Sequence, residues 1–218
     1  MDKPHALLAT NNASVLTRHA KILDALEGIE EAQIALLRVV GDHPLQPVGV
    51  IGTTLCVGSV EQARDGALLD DLGITHVLCC CRDDLPGGRA APLVTPSGRV
   101  LVHATIHADD CYDFPLLHND ATDQALRFLH DVHESVHAPR VLVHCLGGVN
   151  RSAALAVAFA AVRSAPHTDA AALITQLRTL RPLVLSNPGF VHQLARLDVE
   201  AWRERLGMTT DGDTKGCF

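Results

Sequence analysis

The chain has 218 residues, of which 47% are hydrophobic and 20% are charged, enough for one well-packed domain with an extension. Its formal net charge is -7 and its only lysines are Lys3, Lys21 and Lys215, a balance that argues against a surface for nucleic acids or anionic membranes. Because the sequence contains no apolar run of membrane-spanning length and no signal-peptide start, we expect a soluble cytoplasmic protein.

Seven cysteines are present, three of them consecutive at Cys79, Cys80 and Cys81, and no pair has the C-x-x-C spacing. An odd and clustered set of thiols fits a reducing compartment better than a disulfide framework. We therefore expect the three consecutive cysteines to pack in a buried strand, where cysteine behaves as a small hydrophobic residue.

The first 45 residues differ from the rest of the chain. Helical periodicity over residues 13–40 predicts an N-terminal extension of one or two helices across residues 1–45. The break at residues 42–44, which ends in proline, separates this extension from the domain that we place at residues 46–206. Residues 207–218 then form a C-terminal tail.

From residue 48 onward the pattern is that of a small α/β domain. A strand pair over residues 49–58 leads into a helix that begins with a capping box at Ser59 and Gln62 and ends near Gly73. The later elements follow in this order: a buried strand over 74–80, a loop over 83–99, a strand over 99–108, a helix over 121–137, a strand over 140–144, and a helix that Thr168 caps and that ends at Leu180.

Residues 140–165 are the stretch around which the domain is organised. They predict a strand, a tight loop containing Gly147 and Gly148, and a helix that begins at Arg151. Consecutive backbone N–H groups in such a loop form a concave anion site, to which the helix N-terminus adds. Cys145 would lie at its base, where the thiolate is favoured, and Arg151 could bind two phosphoryl oxygens at once. The stretch therefore predicts phosphoryl transfer through a covalent intermediate.

The same stretch resembles the HCxxGxxRS signature of the cysteine-dependent protein tyrosine phosphatases. The matching residues are His144, Cys145, Gly148, Arg151 and Ser152. Two further stretches, LCVGSVEQARDGALLDDLGITHVLCC and LRPLVLSNPGFVHQLARLDVEAW, resemble the opening and closing segments of the dual-specificity phosphatase domain within that superfamily. The resemblance implies a compact three-layer α/β domain with a central, mainly parallel sheet flanked by helices.

The resemblance also implies roles for individual residues. Cys145 attacks phosphorus, and Arg151 with the backbone N–H groups of residues 146–151 holds the equatorial oxygens. Ser152 matches the hydroxyl that hydrogen-bonds the sulfur and helps it leave, and His144 matches the residue that orients the cysteine backbone. The substrate-binding set is Leu146, Gly147, Gly148, Val149, Asn150, Arg151 and Ser152. No metal or organic cofactor is implied, because the loop and the arginine stabilise the charge.

A general acid is expected on a loop about thirty residues before the cysteine, by the same resemblance. The candidates are Asp109, Asp110 and Asp113. Asp110 best fits the family's D-x5-L pattern, whereas Asp113 has the more usual distance from Cys145 but a poorer local context. We take Asp110 as the residue that protonates the leaving oxygen and then activates water, and we keep Asp109 and Asp113 open. The alternative is that all three are solvated loop acids.

Phosphoproteins are the expected substrates, with no nucleic-acid or membrane partner. Leu146 and Val149 are apolar where relatives that act on phosphoinositides tend to carry lysines, and no phosphotyrosine-clamping segment is recognisable, which favours a shallow pocket for phosphotyrosine, phosphoserine and phosphothreonine. Asn150 departs from the usual serine or glycine and also occurs in relatives that act on RNA 5′ phosphates. An RNA 5′-phosphatase is therefore one alternative, and a catalytically idle phosphate-binding module is another.

A second role for the cysteine run also follows from the resemblance. Some relatives trap their oxidised catalytic cysteine as a disulfide with a nearby thiol. The run from Cys79 to Cys81 could act in this way on Cys145, besides packing in the core.

Overall fold

The computed structural model describes residues 49–81, 93–164 and 169–208. The predicted N-terminal helical extension at residues 1–45 lies outside the described residues, as does all of the predicted tail except its first two residues. The described strands are β1 (Gly49–Ile51), β2 (Leu55–Gly58), β3 (His76–Cys79), β4 (Leu93–Val94), β5 (Val100–Thr105) and β6 (Val141–His144).

These strands form one six-stranded sheet in the order β1-β2-β6-β3-β5-β4. The four central strands run parallel, and the edge strands β1 and β4 pair antiparallel with their neighbours. The predicted α/β class with a mainly parallel sheet is confirmed. The strand pair predicted over residues 49–58 is the hairpin of β1 and β2, which Gly52 turns with a positive φ of 60°.

Helices cover both faces of the sheet. They are α1 (Val60–Arg64), α2 (Gly66–Asp71), α3 (Asp120–Ser135), α4 (Arg151–Ser164), α5 (Ala170–Leu180), α6 (Pro188–Ala195) and α7 (Val199–Arg205). On one face, Ala63 and Leu69 of the two short helices pack against Val77 and Leu142 of the sheet. The other five helices build the larger core on the opposite face. Among the helices that the structure describes, none combines the length and apolar character needed to cross a bilayer.

Helix α4 is the centre of the larger core. All of its residues from Ser152 to Val162 are buried. It packs on the sheet through β2 and β6, and α3, α5, α6 and α7 surround it. A helix buried on all sides can hardly shift, so the end of β6 and the start of α4 hold the intervening loop in a fixed position.

Two predicted helix boundaries are wrong for the same reason, a capping aspartate. The single helix expected from Ser59 to Gly73 is two helices, because Asp65 ends α1 and its side chain then accepts a hydrogen bond from Leu68 N at 3.0 Å to begin α2. Asp169 caps α5 by accepting from Ala171 N at 3.0 Å. Thr168, the predicted cap, lies outside the described residues.

A partly buried histidine, His133, makes stability depend on pH. Burial lowers the pKa of His133 to about 4, while its contact with Leu129 O opposes this. Below pH about 6.5 the unfolded chain protonates this histidine and the folded protein does not. The contribution of His133 to the free energy of unfolding should therefore be fully present above pH about 6.5. The free energy of unfolding should then fall by about 2 kcal/mol as the pH decreases toward 4.

His133→Gln keeps a neutral side chain that can still bond Thr54, the partner of His133 Nε2 at 3.0 Å. Urea unfolding between pH 7 and pH 4.5 should show a shallower loss of stability in this variant than in the parent. Identical slopes would mean that His133 titrates alike in both states.

Candidate active site

The loop between β6 and α4 turns five consecutive carbonyl groups outward. Leu146 O accepts from Val60 N at 3.1 Å, Gly147 O from Arg181 Nη2 at 3.0 Å, Gly148 O from Arg181 Nε at 3.1 Å, Val149 O from Leu185 N at 2.9 Å and Asn150 O from Ala154 N at 2.8 Å. In a trans peptide the next N–H points opposite to the carbonyl. The N–H groups of residues 147–151 are therefore directed into the concavity, as an anion site requires.

Gly148 is a position in this loop that requires glycine. Its φ is +66°, a conformation that side chains disfavour. A Cβ there would lie 2.4 Å from Gly58 O and 2.5 Å from Arg181 Nη2. The loop thus closes against the end of β2 only because this position has no side chain.

Arg181 supports the loop from beneath. It is 1% exposed, and besides the two loop carbonyls it donates to Gln62 Oε1 at 3.2 Å. Burial lowers the pKa of this guanidinium, whereas the nearby charge of Cys145 raises it. Arginine remains a cation under such conditions, so a buried positive charge lies under the anion site. Sequence analysis assigned no role to Arg181, because a buried arginine is rare and its partners are far away in the chain.

Cys145 lies at the base of the concavity. It is 1% exposed, and the buried Ser152 donates from Oγ to its Sγ at 3.3 Å. The rest of the predicted substrate-binding set surrounds it: Leu146 and Gly147 are exposed, Gly148 is buried, and Val149, Asn150 and Arg151 are partly buried. The residues that the sequence predicted to act together are thus adjacent in space.

His144, predicted to orient the cysteine backbone, is fully buried at the end of β6. Burial lowers its pKa to about 4, and a hydrogen bond with the Cys145 backbone opposes this. Apart from that contact, neither ring nitrogen has a hydrogen-bond partner among the described residues. The imidazole is therefore neutral at physiological pH.

Arg151 faces the acid loop, the segment from residue 108 to residue 115. Its Nη1 donates to Ala108 O at 3.2 Å, and its Nε lies 3.7 Å from Asp110 Oδ2. Asp109 and Asp113 are exposed residues of the same loop. Of the three aspartates, it is Asp110 for which the structure places a carboxylate against Arg151.

Two amide side chains hold the Asp110 carboxylate. Asn150 Nδ2 donates to Oδ2 at 3.2 Å, and Asn187 Nδ2 donates to Oδ1 at 3.0 Å. Asn150 Oδ1 in turn accepts from Asn187 N at 3.0 Å and from Ser186 Oγ at 3.2 Å. The amide of asparagine donates through its nitrogen and accepts through its oxygen, so Asn150 can bond Asp110 with one atom and Asn187 and Ser186 with the other. Asn150 therefore links the loop between β6 and α4, here called the phosphate loop, to the acid loop.

Residues 181–193, here called the anchor segment, touch both loops. A Cβ on Gly189 would lie 1.9 Å from Tyr112 O, so the start of α6 packs directly on the acid-loop backbone. Gln193 accepts from Leu117 N at 2.8 Å and donates to Phe114 O at 2.9 Å. The sequence matched this segment to the family, but it did not indicate that one segment positions both loops.

The three consecutive cysteines have different neighbours. Cys80 N donates to His144 O at 2.7 Å, which places Cys80 beside Cys145, just beyond the ends of β3 and β6. Burial raises the pKa of Cys80, and the charge of Cys145 adds to this. Cys79 Sγ instead lies 3.8 Å from Cys81 Sγ, and all three cysteines belong to the larger core. The expectation that this run could trap an oxidised Cys145 thus concerns Cys80.

Arg181→Met should weaken the anion site without removing any group that faces it. The variant leaves two loop carbonyls without their buried donor and removes the cation, so kcat/KM and vanadate affinity should each fall about 10²-fold. Arg178→Met is the matched control, because that arginine lies in the last turn of α5, three residues before Arg181, and bonds Val184 O. Equal losses in both variants would show that the effect comes from α5 and not from the loop.

Comparison with known proteins agrees with this geometry. The family described as "Dual specificity phosphatase, catalytic domain" matches residues 55–199. Dual specificity protein phosphatase 13B of Mus musculus is 31% identical over 166 residues, covering 73% of this chain and 77% of that protein. Dual specificity protein phosphatase 1B of Arabidopsis thaliana is 27% identical over 147 residues, covering 66% of this chain and 77% of that protein. The fold is similar to that of DUSP15, with a TM-score of 0.59 at 18% identity over 73% of this chain and 94% of that one. The chain belongs to the dual-specificity phosphatase family of protein phosphatases.

Proposed function

We propose that this protein hydrolyses phosphotyrosine, phosphoserine and phosphothreonine in proteins through a phosphocysteine intermediate. The observation that carries the proposal is the ring of inward-facing N–H groups at residues 147–151, with Cys145 at its base and Arg151 and Asp110 at its rim. This arrangement can bind three phosphoryl oxygens while it presents a nucleophile on one side and an acid on the other.

In the first step Cys145 Sγ attacks phosphorus and the P–O bond to the substrate breaks. The loop N–H groups and the Arg151 guanidinium bind the equatorial oxygens, on which negative charge accumulates. Asp110 gives its proton to the leaving oxygen, so that the product departs as an alcohol or phenol. The buried charge of Arg181 favours the anionic states along this path.

In the second step the Asp110 carboxylate takes a proton from water, and the water oxygen attacks phosphorus. The S–P bond breaks, phosphate is released and the thiolate returns. The Ser152 hydroxyl, 3.3 Å from Cys145 Sγ, donates to the departing sulfur and stabilises its charge. The two amides that hold Asp110 keep the same carboxylate in place for both proton transfers.

The chemistry around the loop favours phosphoproteins over other phosphate esters. Leu146 is 51% exposed at the rim and is apolar, which suits a peptide better than a polyphosphorylated headgroup. The net charge of -7 disfavours a polyanion such as RNA. The contacts of Asn150 with Asp110 and Asn187 give this residue a positioning role, which weakens the argument that it marks an RNA 5′-phosphatase.

One substrate panel tests the proposal. The full chain should hydrolyse an aryl phosphate in the presence of a metal chelator, and it should then act on phosphotyrosine, phosphoserine and phosphothreonine peptides. RNA with a 5′ triphosphate and phosphoinositides serve as the competing substrates. Turnover of RNA alone would favour the RNA 5′-phosphatase. Phosphate binding without any turnover would identify a binding module.

A further inference from the structure

Two thiols and an imidazole meet at the ends of two neighbouring strands. Cys79, the last residue of β3, is paired with His144, the last residue of β6, and Cys81 follows two positions later. Cys79 Sγ and Cys81 Sγ are 3.8 Å apart, and the ligand atoms of all three residues lie within 4.8 Å of one another. Each of these residues is at most 2% exposed.

These distances are close to those of a tetrahedral zinc site. Zinc–sulfur bonds of about 2.3 Å at a tetrahedral angle place two sulfurs about 3.8 Å apart. A zinc-bound imidazole nitrogen would lie about 3.6 Å from each sulfur, so the His144 ring needs to approach by at most about 1.2 Å. Rotation about the side-chain bonds of His144 and the cysteines can supply that movement.

His144 provides independent support for a ligand. Its ring is fully buried, and apart from the contact with the Cys145 backbone neither nitrogen has a hydrogen-bond partner among the described residues. A buried polar group without such a bond is costly, and proteins rarely retain one unless something binds it. The two thiols beside it are the ligands that zinc prefers to combine with imidazole.

We propose that Cys79, Cys81 and His144 bind one zinc ion. Two S–Zn bonds and one N–Zn bond form, the two thiol protons leave to solvent, and the fourth position remains for a water molecule. Two thiolates balance the charge of Zn²⁺, so the completed site is neutral, and burial then carries little electrostatic cost. The ion would join β3 to β6 next to the phosphate loop and stabilise the folded chain.

The site is separate from the catalytic thiol. Cys79, Cys81 and Cys145 all belong to the larger core, but Cys79 Sγ contacts Cys81 Sγ, whereas Cys145 Sγ accepts from Ser152 Oγ and is not among the three ligand atoms that lie together. The ionisable groups whose charges act on His144 are His103, Arg64 and Glu61. None of these belongs to the catalytic set.

Metal titration of the full-length Cys145→Ser variant tests the proposal, because this variant lacks the catalytic thiol. Co²⁺, added to the folded protein and during refolding, should bind in one equivalent, release two protons and produce sulfur-to-cobalt charge-transfer absorption. Zn²⁺ should then displace it. Adding Cys79→Ala or Cys81→Ala should abolish the absorption. Cys56→Ala, at a buried cysteine of the smaller core, and Cys111→Ser, at an exposed one, should leave it unchanged.

X-ray absorption of the zinc-loaded Cys145→Ser protein identifies the ligand atoms directly. The test therefore does not depend on whether the alanine variants fold. The expected shell has two sulfurs at about 2.3 Å and one imidazole nitrogen at about 2.0 Å. A shell of oxygen and nitrogen alone would overturn the proposal. So would absorption that disappears with Cys111→Ser and persists without Cys79 and Cys81.

Discussion

Cys145→Ser should abolish phosphatase turnover and leave phosphate binding nearly intact. A hydroxyl at this position is a far weaker nucleophile than a thiolate, so kcat should fall by about 10⁴-fold or more. The inward N–H groups, Arg151 and Arg181 all remain, so the dissociation constant for phosphate or vanadate should stay within a few fold of the parent. Single-turnover assays and calorimetry measure the two quantities separately.

Cys111→Ser is the control for this variant, because Cys111 is an exposed cysteine of the acid loop. Its kinetics should match those of the parent. More than a trace of activity in Cys145→Ser would exclude the thiolate mechanism. Loss of phosphate affinity together with turnover would mean instead that the sulfur is needed to shape the loop.

Asp110→Asn should slow hydrolysis in proportion to how poorly the substrate oxygen leaves. For an alkyl or phenyl phosphate the loss should be about 10²- to 10⁴-fold, the usual range for general acid catalysis. For an aryl phosphate with a strongly activated leaving group the loss should be much smaller, because that group needs little protonation. The basic limb of the pH–rate profile should also flatten in the variant.

Asp109→Asn and Asp113→Asn carry the same change at neighbouring positions of the acid loop. Neither should alter the dependence on leaving group, because it is Asp110 whose carboxylate lies 3.7 Å from Arg151 and bonds Asn150 and Asn187. If Asp113→Asn shows the dependence and Asp110→Asn does not, distance along the chain is a better guide than the local sequence pattern. If none of the three shows it, the reaction proceeds without a loop aspartate.

The sequence was most informative where function depends on residues close together in the chain. The strand, the loop and the helix from Arg140 to Ser164 could be predicted, because the glycines, the apolar run and the spacing from Cys145 to Arg151 are all local. The parallel sheet could also be predicted, since the strands alternate with helices and resemble those of a known family. By contrast, the break at Asp65 was missed, because an aspartate inside a helical pattern does not indicate whether it will cap a second helix.

Contacts between distant residues could not be predicted in the same way. The bonds from Arg181 to the carbonyls of Gly147 and Gly148 join residues more than thirty positions apart. Asn150 was predicted to bind substrate, and the structure adds its contact with Asp110, which depends on where the acid loop lies. The proximity of His144 to Cys79 likewise follows from strand register, which a single sequence taken by itself does not reveal.

The anchor segment also bears on how quickly product can leave. Asn187 bonds Asp110, Gly189 packs on Tyr112 and Gln193 bonds Phe114. The acid loop is therefore held along most of its length and cannot swing away as a long lid does. Phosphate should then escape without waiting for a large hinge motion. Added sucrose or glycerol should therefore not slow kcat on an activated aryl phosphate, whose leaving group departs readily, because solvent friction resists moving segments and has little effect on bond breaking. A kcat that falls in proportion to relative viscosity would show that loop opening or product escape limits turnover.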